Sequence, residues 1–296
     1  MGNELTPAED SSSSHHWARL ALAVGLFCGA ALIGGVQPAA AAVQPKDPLG
    51  DVLSIFDPSG QPMPTGDVPG WTQVFADDFR TTVSLGDFPD LVSDKWGAYG
   101  DGWKDTTGNG INFPSKVVSV ANGVMDFHLR SEQGQRLVSA PVPKIPEPEN
   151  GPQPYGRYVV RFRADPMPGY KIAWLLWPDS NVWEEGEIDF PEGDLDSDIW
   201  AFMHFRDSPK EQDWFNTKSA FKGWHTAEIE WTPNLVQFTL DDKIVGRSTD
   251  PSRIPDTPMH WVLQTESNST TTSSILQVSG HVKIDWVTAY RMADTK

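Results

Sequence analysis

Cysteine is almost missing from this 296-residue chain; the single one, Cys28, lies in an apolar stretch near the amino end. A disulfide framework is therefore excluded, and once that stretch is removed so is a thiol nucleophile. Stability must come from a buried core, which about 250 residues can supply. Phe27 is too large for the small residue that a lipoprotein cleavage site needs before its cysteine, so Cys28 reads as a passive apolar residue. Positive charge is scarce too, with 23 Lys and Arg against 40 Asp and Glu and a net charge of −17. No basic cluster is present, so nucleic acid and anionic membranes are poor partners, and sulfated or uronic polymers are disfavoured. The chain also lacks a sustained helical period and an internal repeat. No His/Cys grouping suggests zinc.

What is present is 13 Trp, 25 Gly and 25 Pro, a composition that suits one large Trp-rich β domain. Residues 20–36 form an uncharged apolar run after Arg19, and residues 39–42 are all Ala, the layout of a secretory signal cleaved after Ala42. Glu4, Glu9 and Asp10 oppose Arg19, and the run is long enough that an uncleaved membrane anchor is the alternative. The expected organisation is a signal peptide over 1–42, an extended lead-in over 43–70 and a single domain over 71–296, secreted and monomeric.

From Trp71 onward short strand-like runs alternate with Gly, Asp, Asn and Pro, among them Gln73-Val74-Phe75, Lys116-Val117-Val118-Ser119-Val120 and Val124-Met125-Asp126-Phe127-His128-Leu129. Residues 224–232 and 235–240 read as strands joined at Pro233-Asn234, with a further turn at Asp241-Asp242. Residues 140–154, with repeated Pro, are expected to form a loop at the rim of a cleft. Residues 267–274 read as a polar loop containing a formal glycosylation triplet at Asn268.

The informative stretch is Trp183-Glu184-Glu185-Gly186-Glu187-Ile188-Asp189-Phe190-Pro191-Glu192-Gly193. In a strand Glu187 and Asp189 share a face, while strict alternation sends Glu192 to the other. One extra residue at Phe190-Pro191, a β-bulge, resets the parity and aligns all three acids. Like charges so close cannot all ionise cheaply, so one carboxyl holds its proton. Retaining glycoside cleavage needs this division of labour, an ionised nucleophile and a protonated acid about 5–5.5 Å apart. A solvated acidic strand is the competing reading. It fits poorly with the apolar residues interleaved among these acids.

Three segments resemble the signature of glycoside hydrolase family 16: Tyr155-Gly156-Arg157-Tyr158-Val159-Val160-Arg161-Phe162, then Ala173-Trp174-Leu175-Leu176, then Gly186-Glu187-Ile188-Asp189-Phe190-Pro191-Glu192. Residues 74–79, 224–232 and 282–287 are similar to the family's outer parts. The resemblance implies an all-β jelly-roll of two curved antiparallel sheets with a cleft on the concave face. It also implies cleavage of a β-linked polysaccharide by Glu187 as nucleophile, Glu192 as acid/base and Asp189 as their electrostatic aide. Trp174 and Trp183 are the expected sugar platforms, His204 a leaving-group-side contact, and Gln264 and Glu266 polar contacts from a neighbouring strand. No cofactor is expected for the chemistry. Asp285 and Asp78 are the expected ligands of a structural calcium. A transglycosylase and a non-catalytic glycan-binding jelly roll remain the alternatives.

Overall fold

A computed structural model describes residues 57–148, 151–152, 154–268 and 277–293. The signal-peptide reading, Cys28, the amino-terminal part of the lead-in and most of the polar loop after Asn268 lie outside them.

The architecture is two facing sheets, antiparallel except where residues 110–112 pair in parallel with residues 136–138. The larger has ten strands in the order β15-β14-β13-β8-β17-β5-β6-β3, with β1 beside β17 and β4 beside β5. Its strands are β1 (Trp71–Asp77), β3 (Gly110–Asn112), β4 (Val118–Ala121), β5 (Val124–Glu132), β6 (Gln135–Val138), β8 (Gly156–Ala164), β13 (His225–Thr232), β14 (Leu235–Leu240), β15 (Lys243–Ser248) and β17 (Gly280–Met292). The second sheet has five strands in the order β12-β11-β10-β9-β16. These are β9 (Tyr170–Pro178), β10 (Glu187–Asp194), β11 (Asp198–Phe205), β12 (Ser208–Ala220) and β16 (Met259–Ser267). The all-β expectation holds, and both turn readings hold: Thr232 pairs with Leu235 and Leu240 with Lys243.

Alternation explains the core. On β8 the side chains of Tyr158, Val160, Phe162 and Ala164 are buried toward the second sheet, while Arg157, Arg161 and Arg163 point outward and are only partly covered. Across the interface Phe162 meets Trp174 edge to face at 5.0 Å, and Phe190 meets Phe238 at 5.6 Å. Such pairs add about 0.5–1.5 kcal/mol each beyond the area they bury.

Two segments depart from the sequence reading. The proline-rich stretch expected to be all loop contains β7 (Pro141–Pro143), which pairs with β2 (Trp96–Ala98) as a separate two-stranded sheet. So short a strand tolerates proline because its unpaired edge needs no N–H. Lys116 and Val117, expected in a strand, instead lie in a helical turn, α1 (Pro114–Val117), started by a proline at its first position. The described end of the lead-in, residues 57–70, is bound to the domain: Trp286 Nε1 donates to the Gln61 carbonyl at 2.9 Å, and Met63 and Val68 cover Trp71, Val159 and Trp286 on the outer side of the large sheet.

Candidate active site

β10 carries the three acids, and the register of its neighbours shows how they come to face one way. Asp189 lies opposite Phe202 on β11 and Leu175 on β9; Glu192 lies opposite Trp200 and Ala173. From Asp189 to Glu192 β10 advances one residue more than either neighbour. The surplus, at Phe190 and Pro191, is the bulge that parity demanded. Glu187, paired with His204, joins Asp189 and Glu192 on the same face. Gly186 makes the turn into β10 with φ 93°, and a Cβ there would meet Pro255 at 2.7 Å and the His204 carbonyl at 2.9 Å. Only glycine fits that entry.

A 3-10 turn (Trp183–Glu185) brings Trp183 over the nucleophile candidate, where its Nε1 donates to Glu187 Oε2 at 2.8 Å. His204 donates from Nδ1 to the Pro209 carbonyl at 2.8 Å, which turns Nε2 toward Asp189 Oδ2 at 3.5 Å. Among the described residues, Glu187, Asp189 and His204 form the one group of three carboxylate or imidazole side chains within 4.8 Å of each other.

Burial raises the proton affinity of both Glu187 and Asp189 above the ordinary carboxylate range. The effect is larger at Asp189, where the charges of Glu187 and Glu192 add to burial and its hydrogen bond with Glu187 favours the protonated form. On Glu187 the nearby His204 and the hydrogen bonds from Asp189 and Trp183 act in the opposite sense. Both surroundings favour the protonated form, and that of Asp189 favours it more.

Because folding raises the affinity of Asp189 for its proton, its contribution is fully present below the unfolded value of about 3.9 and is lost as pH rises through the folded value. Asp189→Asn, which keeps a hydrogen-bond donor to Glu187 and cannot ionise, should gain stability relative to the parent on going from pH 4 to pH 7. Urea unfolding at the two pH values measures this; an unchanged difference would mean that Asp189 is ionised in the folded protein.

The model of glycosyl hydrolases family 16 matches residues 106–288, well over half of the chain. The chain belongs to glycosyl hydrolase family 16. The structure is similar to the endo-1,3-β-glucanase of Streptomyces sioyaensis (18% identity, TM-score 0.62, 78% of this chain and 100% of that one). It is also similar to the laminarinase of Rhodothermus marinus (20%, 0.60, 76% and 98%) and to SCLam, a non-specific endo-β-1,3(4)-glucanase of family 16 (18%, 0.61, 78% and 95%). No curated protein matches the chain in sequence. At these identities the likeness establishes the jelly-roll fold, and family membership makes the chain a glycoside hydrolase.

Within this family 16 domain the sequence-expected contacts divide. Trp183 and His204 stand beside the acids, with their rings 5.8 Å apart. Gln264 pairs with Ala173, so it shares the face of Glu192. Trp174 is a correction. It is fully buried on the opposite face, packed against Phe162 between the sheets, and cannot stack on a sugar. Its indole N–H has no acceptor there. Trp174→Phe thus removes an unsatisfied donor along with volume, and should cost about 1–2 kcal/mol of stability with glycan turnover intact. A KM shift without a stability change would restore it to the cleft.

Glu266 is 1% exposed and serves a buried network rather than an open cleft. Thr106 Oγ1 donates to its Oε1, and Lys171 Nζ lies 3.1 Å from its Oε2. The same ammonium is 3.5 Å from Glu192 Oε1. Burial works against the charge of Lys171, but Glu266 and Glu192 outweigh it and hold the ammonium well above the ordinary lysine value. Sequence reasoning passed over Lys171, although its parity with Ala173 places it on the acid face. Tyr99 was also missed. It packs with Val142 on Ala173, Leu175 and Val262, covering the acid face toward β16, and burial with Glu266 and Glu187 nearby pushes its phenol up to about 12.

The expected calcium ligands are each engaged elsewhere. Asp285 accepts from the Ser59 N–H at 3.2 Å, and Asp78 pairs with Arg80 at 2.5 Å. Among the described residues neither belongs to a group of three or more clustered carboxylate or imidazole side chains. Through Ser59, Asp285 ties the end of the lead-in to β17.

Proposed function

We propose that this family 16 enzyme is a secreted, retaining endo-glycosidase hydrolysing a neutral β-glucan, β-1,3-linked or mixed β-1,3/1,4-linked. Glu187 attacks the anomeric carbon as the glycosidic C–O bond breaks, and Glu192 gives its proton to the departing oxygen. Water then attacks the glycosyl-enzyme, Glu192 takes its proton, and Glu187 is released as the carboxylate. Asp189 keeps its proton and steadies Glu187 through their hydrogen bond.

The observation that supports this reading most is the one-residue surplus of β10 between Asp189 and Glu192, which brings Glu192 to the face of Glu187. The glucan preference is supported by the kinds of enzyme that share the fold. Secretion rests on the apolar run and alanine block before residue 43.

Reducing-sugar release from laminarin, lichenan, xyloglucan, agarose and carrageenan tests the substrate. Release confined to agarose or carrageenan would overturn the glucan assignment. Product analysis with excess acceptor separates hydrolysis from transfer.

A further inference from the structure

The acid face of the small sheet continues past β10. Directly paired residues of antiparallel strands project to the same side, so the pairings Glu192 with Trp200 and Asp189 with Phe202 put both aromatics beside the acids. The pairing of Phe202 with Trp214 carries the face on to β12. The rings form a connected series. Trp200 stacks on Phe202 at 6.3 Å and tilts against Trp214 at 5.7 Å. Phe202 is nearly buried as the base of the group, whereas Trp214 is 60% exposed, the highest exposure among the large hydrophobic residues described. Gln212 and Asn216, paired with His204 and Trp200, flank the rings with amides, and that of Asn216 donates to Asp198 Oδ2 at 3.0 Å. On the other side of β10 the corresponding positions Ala173, Leu175 and Val262 are buried beneath Tyr99 and Val142. The face is therefore walled toward β16 and open toward β12.

We propose that Trp200 and Trp214 form a glycan-binding track that continues the cleft from Glu192 across β11 and β12, taking the apolar faces of uncharged pyranose units beyond the scissile bond. This rests on the glycosidase reading above. Pyranose rings offer C–H faces bordered by hydroxyls, so flat indoles flanked by amides suit them. An exposed indole and its neighbour at the edge of a sheet would otherwise invite association with another chain. Continuity with the acids selects the substrate as occupant.

The test uses the full chain carrying Glu187→Ala, so that binding is read without turnover. Affinity for soluble laminarin and lichenan is measured by calorimetry or affinity electrophoresis, alongside thermal unfolding. Adding Trp214→Ala should weaken binding of the preferred glucan about 10-fold, and Trp200→Ala with Trp214→Ala more than 50-fold. Ile244→Ala, exposed on the other sheet, should leave it unchanged. Affinity within twofold of the parent after loss of Trp214 overturns the track, and a fall in unfolding temperature with unchanged affinity assigns the rings to edge packing. Trp214 is exposed enough for its single variant to fold, so it decides the matter if the double variant does not. A parent that binds neither glucan defeats the glucan assignment instead, and a Glu187→Ala chain that still releases sugar at full rate defeats the glycosidase reading.

Discussion

Glu187→Ala is expected to abolish net hydrolysis, and Glu192→Ala to lower kcat by about 10²–10⁴-fold, the usual contribution of a positioned general acid/base. The two losses differ in kind. Without Glu187 no glycosyl-enzyme forms; without Glu192 it forms slowly and waits for a nucleophile that needs no general base. Azide supplies one. In Glu192→Ala it should attack the glycosyl-enzyme and give a product that retains the anomeric configuration. In Glu187→Ala it can occupy the space left by the carboxylate and should give the inverted product. Rates on the preferred glucan and NMR of the azide products measure both. Full activity in both variants would remove these residues from the chemistry, and a retained product from Glu187→Ala would exchange their roles. Neither substitution should unfold the domain, because each removes one member of a crowd of like charges, and the burial of Glu187 opposes its ionisation already.

Much of this site could be read from sequence because its logic is parity. Glu187 and Asp189 at i and i+2 share a face in any strand, and Phe190-Pro191 marks where the count must slip for Glu192 to join them. The ladders to β9 and β11 slip at that point. The turns at residues 233–234 and 241–242 were legible for a similar local reason, and Asp241 and Asp242 adopt the positive φ values, 49° and 63°, that a tight hairpin asks for. Parity failed at Trp174. Residues 172–177 are apolar throughout, and a strand buried on both faces has no alternation from which to tell core from cleft. Only the pairing of Ala173 with Glu192 fixes the odd-numbered residues as the cleft side and sends Trp174 into the core. Had that pairing been assumed, Lys171 would have appeared at once on the acid face. Trp200, Phe202 and His204 do alternate in the sequence, and that signal was available; only His204 was taken from it. The wall made by Tyr99 and the β2–β7 pair was beyond sequence reasoning, since residues 96–98 and 141–143 meet only through tertiary structure.

Lys171→Met is expected to destabilise the protein by about 3 kcal/mol, the low end of the range for breaking a buried ion pair. Two features set that magnitude. Glu266 is 1% exposed, so removing the ammonium at 3.1 Å strands a carboxylate that water cannot reach; Lys171 itself keeps 21% exposure, which tempers the loss. Thr106 still donates to Glu266, but a hydroxyl donor does not replace a whole charge. The remedy should be specific. Glu266→Gln in the Lys171→Met background keeps an acceptor for Thr106 and removes the stranded charge, so the double variant should recover most of the lost stability. Glu266→Gln alone should cost less than Lys171→Met, since Lys171 retains Glu192 at 3.5 Å. Urea denaturation of the four proteins closes the cycle. A loss below about 0.5 kcal/mol for Lys171→Met, or no recovery in the double variant, would show that the ammonium behaves as an ordinary surface charge. The expected coupling would instead make Lys171 the cation that lets Glu266 and Glu192 stand side by side.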